Sequence, residues 1–148
     1  MIFDEIEILY NEIDSDFAVK EFDARAKGLN KDEFEIALKR EHNDQAYFLF
    51  IFTRLEKSIQ DIFDILINNK IATLIDKKEL NSWKMLKKKK LELMEKISFF
   101  AEPGEIDYNL IYNYKKKRDN VAHGDFATGV DISAVLKDMK RLYNDLNN

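Results

Sequence analysis

The sequence predicts an all-α bundle of about five helices, in a single domain spanning residues 1–148. Three observations carry that expectation. Apolar residues recur at three- and four-residue spacing in successive segments, and no stretch sustains the period-two alternation of a strand. Breakers are scarce, with one proline and four glycines in 148 residues. The composition, 45% hydrophobic and 35% charged, suits a packed core rather than a disordered chain. A chain of this size buries roughly two-thirds of its unfolded surface.

The first helix is marked by Ile2, Ile6, Leu9 and Ile13 with acids between them, and Phe17 and Phe22 continue it toward a stop at Gly28. Asn30-Lys31-Asp32-Glu33 reads as an N-cap with Glu in the third helical position, followed by Phe34, Ala37 and Leu38 on one face. Ala46 to Ile67 is apolar almost all round in its first turns and predicts a central helix, ended by Asn68-Asn69. Ile71 to Ile75 reads as a connection. Asn81 or Ser82 can cap a further helix carrying Trp83, Leu86, Leu91, Leu93, Met94, Ile97 and Phe100. Pro103-Gly104 breaks the chain before a helix with Asp107 at its start and Leu110, Ile111, Tyr114, Val121 and Ala122 along it. Gly124 to Gly129 reads as a loop. Asp131 caps a last helix with Ile132, Val135, Leu136, Met139, Leu142, Tyr143 and Leu146.

Composition also excludes. With no cysteine there is no disulfide or thiolate metal site, and a reducing, cytoplasmic location is expected. The acidic start MIFDEIEILYNEID does not fit a signal or transit peptide. No apolar run is long enough to span a membrane. Neither Glu-x-x-His nor His-x-x-x-His occurs, and no Gly-rich phosphate loop precedes a helix, so neither metal nor cofactor is expected. His42, beside Glu41 and Asp44, reads as a surface residue.

The net charge of −4 is unevenly spread. Acids crowd the start, from Asp4 to Asp16. Lysines crowd the second half, at Lys84, at Lys87 to Lys90, and at Lys115 to Lys117 just before Arg118. A local field of one sign attracts a polyanion whatever the total, although such runs also serve as plain solvated faces. Lys87, Lys88 and Lys115 to Lys117 are the candidate RNA contacts. Tyr108, Tyr112 and Tyr114 either stack on bases or belong to core and interface.

The segment Arg118-Asp119-Asn120-Val121-Ala122-His123-Gly124 holds one of the two histidines. On a wheel at about 100° per residue, Arg118 falls inside the arc of Leu110, Ile111, Tyr114 and Val121, while His123 lies about 140° away. A charge in an apolar arc needs a desolvated partner, because an unpaired buried charge is costly. Either a carboxylate on a neighbouring helix takes Arg118, or it serves a site. On one straight helix Arg118 and His123 do not meet at a single phosphate. The helix must end near Ala122, or a second subunit must complete the pair. Arg54 repeats the oddity, lying between Tyr47, Phe50 and Ile65, with Asp61 two turns on. It forms a buried pair with Asp61, or it or Glu56 reaches a dimer cleft.

Arg118, the polar Asp119 and His123, in an all-helical chain, resemble the Arg-x4-His motif of the HEPN superfamily. The stretch is similar to the Arg-Asn-x-x-Ala-His-Gly form of many of its branches. Arg54-Leu55-Glu56 resembles a charged element that bacterial defence-associated branches carry on the central helix. The resemblance implies a helical bundle acting as a metal-independent endoribonuclease in phage defence or a toxin–antitoxin system. It implies that the RNA 2′-OH attacks its own phosphate to leave a 2′,3′-cyclic phosphate and a 5′-OH. His123 would act as general acid or base, since histidines titrate near neutrality. Arg118 would hold the phosphate, and Asp119 or Asn120 would orient the pair. Arg54 and Glu56 would support the site. The resemblance further implies a homodimer with the site between protomers, and an antitoxin or neighbouring defence protein as partner. One departure stands out. Toxins of paired HEPN–nucleotidyltransferase systems carry a tyrosine two residues after the histidine; here Asp125 stands there, so modification at that site is not expected. The alternative is a catalytically inactive dimeric bundle that binds RNA or a partner protein.

Overall fold

A computed structural model describes residues 2–125 and 129–146, and within them the chain is all-α. The segment 126–128 of the expected loop lies outside the described residues. The six helices are α1 (Ile2–Ala26), α2 (Asn30–Thr73), α3 (Lys77–Lys87), α4 (Leu93–Ile97), α5 (Ile106–Ala122) and α6 (Ile132–Leu146).

α2 is the axis. The expected helix after Asn30, the central helix and the first part of the connection, as far as Thr73, are one element of 44 residues, about 66 Å long. Nothing between Leu38 and Ala46 stops a helix, and Asn68-Asn69 costs only about 0.7 kcal/mol per residue. The helix begins at Asn30 itself, after Leu29, so Asn30 is not its cap. Conversely, the expected helix from Trp83 to Phe100 is broken. α3 ends in the lysine run, where cations suit the helix terminus and like charges at i,i+3 and i,i+4 oppose its continuation. Asp76, not Asn81 or Ser82, caps α3, its carboxylate accepting from the Glu79 amide at 2.9 Å. Glu105, not Asp107, precedes α5. Asp131 caps α6 as expected, accepting from the Ala134 amide at 3.0 Å.

The core is built from stripes. Phe48, Ile51, Phe52, Leu55 and Ile59 of α2 meet Phe3, Ile6 and Tyr10 of α1. Ile132, Val135, Leu136, Met139 and Leu142 of α6 close one side, with Ile111 and Val121 of α5 and Leu93 and Ile97 of α4 closing others. α3 buries no residue and is held by Trp83, whose ring lies 6.0 Å from Phe99, itself 5.1 Å from Phe63.

Residues 11 to 44 add nothing to that core cluster. They form an antiparallel helical arm, turned at Gly28 in the left-handed region (φ +68°) and held by its own ion pairs. Arg40 grips Asp14 with two nitrogens, one at 2.8 Å, and Arg25 reaches Glu33 at 2.6 Å. Among the described residues no helix is long and apolar enough to cross a membrane.

Candidate functional site on α5

α5 ends where the sequence expects. Gly124 takes φ +87°, a conformation that favours glycine. Its amide donates to the Val121 carbonyl and the Asp125 amide to the Asn120 carbonyl, both at 3.0 Å. These two bonds form a Schellman close. His123 is therefore the C-cap residue, and it is exposed.

Arg118 is held quite differently. Its guanidinium lies 5.4 Å from the centre of the Phe52 ring and donates to Glu56 Oε1 at 2.8 Å. A second nitrogen stands 3.2 Å from Asp119 Oδ1, and Lys115 Nζ reaches the other Asp119 oxygen at 3.1 Å. Lys115, Asp119, Arg118 and Glu56 thus form one chain of alternating charge. Cation–π contact and paired carboxylates answer the sequence puzzle of a cation in an apolar arc. The guanidinium is not sealed, since the Arg118 side chain keeps 30% of its surface. Its Nε is buried without a hydrogen-bond partner.

Arg118 faces α2, while His123 leaves α5 about 140° further round. Within one chain the helix does not aim the two side chains at a common point. On the outward side, Tyr112, Lys116, Asn120 and His123 share an arc of about 80° and are all exposed, Tyr112 by 51%. This stripe was implicit in the wheel, since Tyr112 and His123 differ by about 20°. The other two tyrosines are not free for bases in the same way. Tyr114 packs 6.1 Å from Phe48 and donates to Asp138 at 2.6 Å, and Tyr108 packs against the core. Burial and the Asp138 carboxylate push the Tyr114 hydroxyl pKa upward.

The remaining expected residues scatter. Lys116 is exposed and Lys117 half-buried on α5; Lys87 and Lys88 end α3, with Lys87 donating to Asn68 at 2.8 Å. His42 is exposed on α2. Arg54 is also exposed, its guanidinium 5.2 Å from the Phe50 ring centre, and Asp61 accepts from Lys57 at 2.7 Å. The buried Arg54–Asp61 pairing is therefore corrected. The apolar residues flanking Arg54 lie on an outer face of α2, where Phe50 and Ile65 are themselves exposed. Glu56 is the direct partner of Arg118. Among the described residues no three His, Asp or Glu side chains converge to hold a metal ion.

Compared with known proteins, the chain matches no family model, no curated protein and no solved structure.

Proposed function

We propose that this chain is a HEPN-type, metal-independent endoribonuclease acting in phage defence or a toxin–antitoxin pair. The observation that supports it most is the end of α5. The glycine close leaves His123 exposed at a fixed helix terminus, one turn beyond an arginine pinned beside the surface by Glu56 and Asp119. In this reading His123 accepts the proton of an RNA 2′-OH as that oxygen attacks the adjacent phosphorus. The 5′-oxygen leaves and takes a proton from water, giving a 2′,3′-cyclic phosphate and a 5′-OH. Arg118 stabilises the charge that gathers on the phosphoryl oxygens. Although α5 ends at Ala122, His123 as its C-cap still leaves the helix about 140° round from Arg118. In this reading Arg118 of one copy and His123 of another therefore serve one phosphate, which makes the active form a homodimer. Tyr112, Lys116 and Asn120 line the approach to His123, and Lys117 strengthens the field around Arg118, while Lys115 is held by Asp119.

A second reading is favoured by a specific observation. Arg118 already meets two carboxylates, so its charge is compensated without any phosphate. In that reading the bundle binds RNA or a protein partner through the outer face of α5 and cuts nothing.

Purified protein incubated with a panel of RNAs in EDTA separates the two. The ribonuclease gives cyclic-phosphate ends that disappear in His123→Ala, while RNA affinity and helix content persist. Cleavage that survives His123→Ala, or that EDTA abolishes with the fold intact, sinks the catalytic reading. Arg118→Lys restores activity only in part, since a point charge replaces a planar fork.

A further inference from the structure

The lysines that end α3 are exposed, and three of them border one depression. Lys87, Lys89 and Lys90 line a cleft of about 220 Å³ with Lys96, which α4 brings back from one turn further on. Leu93 and Ile97, both buried, pin α4 and so fix that return. Among the described residues the only acid lining the cleft is Asp64, which accepts a hydrogen bond from Gln60 at 2.8 Å.

Some lysines elsewhere in the chain sit in ion pairs. Lys57 meets Asp61, Lys115 meets Asp119, and Lys140 meets both Asp4 and Glu7. In the cleft Lys87 has only the neutral amide of Asn68. Among the described residues none of the four cleft lysines joins an ion pair. Four lysines bordering one depression, with a single acid among its lining, leave a positive field that an anion relieves. The cleft floor includes Phe63 and Ile67, both buried. Their low-dielectric surface strengthens the attraction of any anion seated above it.

We propose that this cleft anchors a terminal phosphate, the phosphomonoester of an RNA end or of a nucleotide. Its volume falls below the roughly 300–1,000 Å³ of pockets that enclose a whole small ligand, so it takes one end of a molecule. A phosphomonoester carries about −1.5 to −2 at neutral pH and presents three free oxygens, whereas a backbone diester carries a single charge between two bulky substituents. Lysines converging from two segments suit the former.

The cleft is also placed to serve α5. Glu56, Gln60, Phe63 and Ile67 recur at i, i+4, i+7 and i+11, so the cleft and the Arg118–Glu56 pair lie on one side of α2. Along the axis they are about 6–17 Å apart. An RNA end held in the cleft would present a phosphate a few nucleotides inward to Arg118. This last step rests on the ribonuclease reading; phosphate capture does not.

The test is binding of two 2′-O-methyl oligonucleotides of one sequence, one with a 5′-phosphate and one with a 5′-OH. Neither can be cleaved, so failure of catalysis does not affect the outcome. The expected result is about ten-fold tighter binding of the phosphorylated form, from added charge-assisted hydrogen bonds. That preference disappears in the triple variant Lys89→Glu/Lys90→Glu/Lys96→Glu and in the milder Gln triple, while 5′-OH binding and circular dichroism hold. Equal affinity for the two oligonucleotides overturns the proposal, and so does a preference that survives both variants. An equal fall for both oligonucleotides makes the cleft a general polyanion surface and also overturns it. Competition by AMP as strong as by the phosphorylated oligonucleotide supports the cleft and identifies a free nucleotide as its source. Cleavage is scored separately on the 2′-hydroxyl RNA, so loss of that activity with the phosphate preference intact removes the ribonuclease and keeps the cleft.

Discussion

The two halves of α2 obey the same periodicity and end in opposite surroundings. From Gln45 to Ile67 the stripe Phe48, Phe52, Leu55, Ile59 and Phe63 is buried beneath four other helices. From Asn30 to Asp44 the same helix carries Phe34, Ala37 and Leu38, yet Phe34 is 69% exposed. Its companion in the arm, Phe22 of α1, is 68% exposed. Apolar spacing therefore reports which side of a helix is apolar and not what covers it. In the body, burial supplies the cohesion. In the arm, charged hydrogen bonds from Arg25 and Arg40 take over that task.

The sharpest way to break this contrast is to truncate one apolar side chain in each half. Leu55→Ala empties a site with no exposure and should cost about 2–5 kcal/mol in urea unfolding. Phe34→Ala should stay within about 0.5 kcal/mol, because little area returns to water. Similar losses at the two positions would show that the arm is covered in solution by a surface absent from a single chain.

Next in size is the arm's own glue. Arg40→Ala removes the bidentate contact to Asp14 and the contact to Glu21, and leaves acids facing one another. Exposed ion pairs contribute at most about 1 kcal/mol each, so global stability should fall by about that much. Hydrogen exchange should quicken from residue 11 to residue 44 and stay slow in the core of α6. Uniform acceleration across both regions would mean that arm and body open as one unit.

The same contrast explains what the sequence disclosed. Of the expected N-caps only Asp131 holds, but breaks set by glycine and proline were legible, as Gly28, Pro103-Gly104 and Gly124 stand where expected. The continuity of α2 was not, because Asn68-Asn69 weakens a helix without ending it once packing on both sides holds. At the site, the misfit of Arg118 in an apolar arc was visible on the wheel. Glu56 was named beside Arg54 as a supporting residue, but its pairing with Arg118, 62 residues away, was not legible, since a wheel does not say which helices adjoin. The wheel misled at Arg54, where an apolar arc proved to be an exposed face. The cleft was hidden for a related reason: Lys96 and Phe63 meet only after α4 folds back on α2.

The smallest predicted effect sits where arm joins body. The Tyr10 hydroxyl donates to Asp44 Oδ1 at 2.8 Å, and its ring packs 5.3 Å from Tyr47. Burial, with Asp14 and Glu41 nearby, holds the Asp44 carboxyl above its usual range, against the opposing pull of Tyr10 and Arg40. The folded state thus favours the protonated acid. That contribution to stability is full below the unfolded pKa of about 3.9 and is lost as pH rises through the folded value. Asp44→Asn stays neutral and can still accept the tyrosine hydrogen bond through its side-chain oxygen. The melting temperature of the variant, relative to wild type, should therefore climb between pH 3.5 and pH 7. Asp4 runs the other way, because Lys140 holds its carboxylate low. Its stabilisation is present above the unfolded pKa and lost as pH falls, but both proteins contain it and the difference cancels. A variant that loses ground as pH rises would mean that Arg40 outweighs burial at this junction, and that the ion pairs of the arm reach further into the body than the contrast allows.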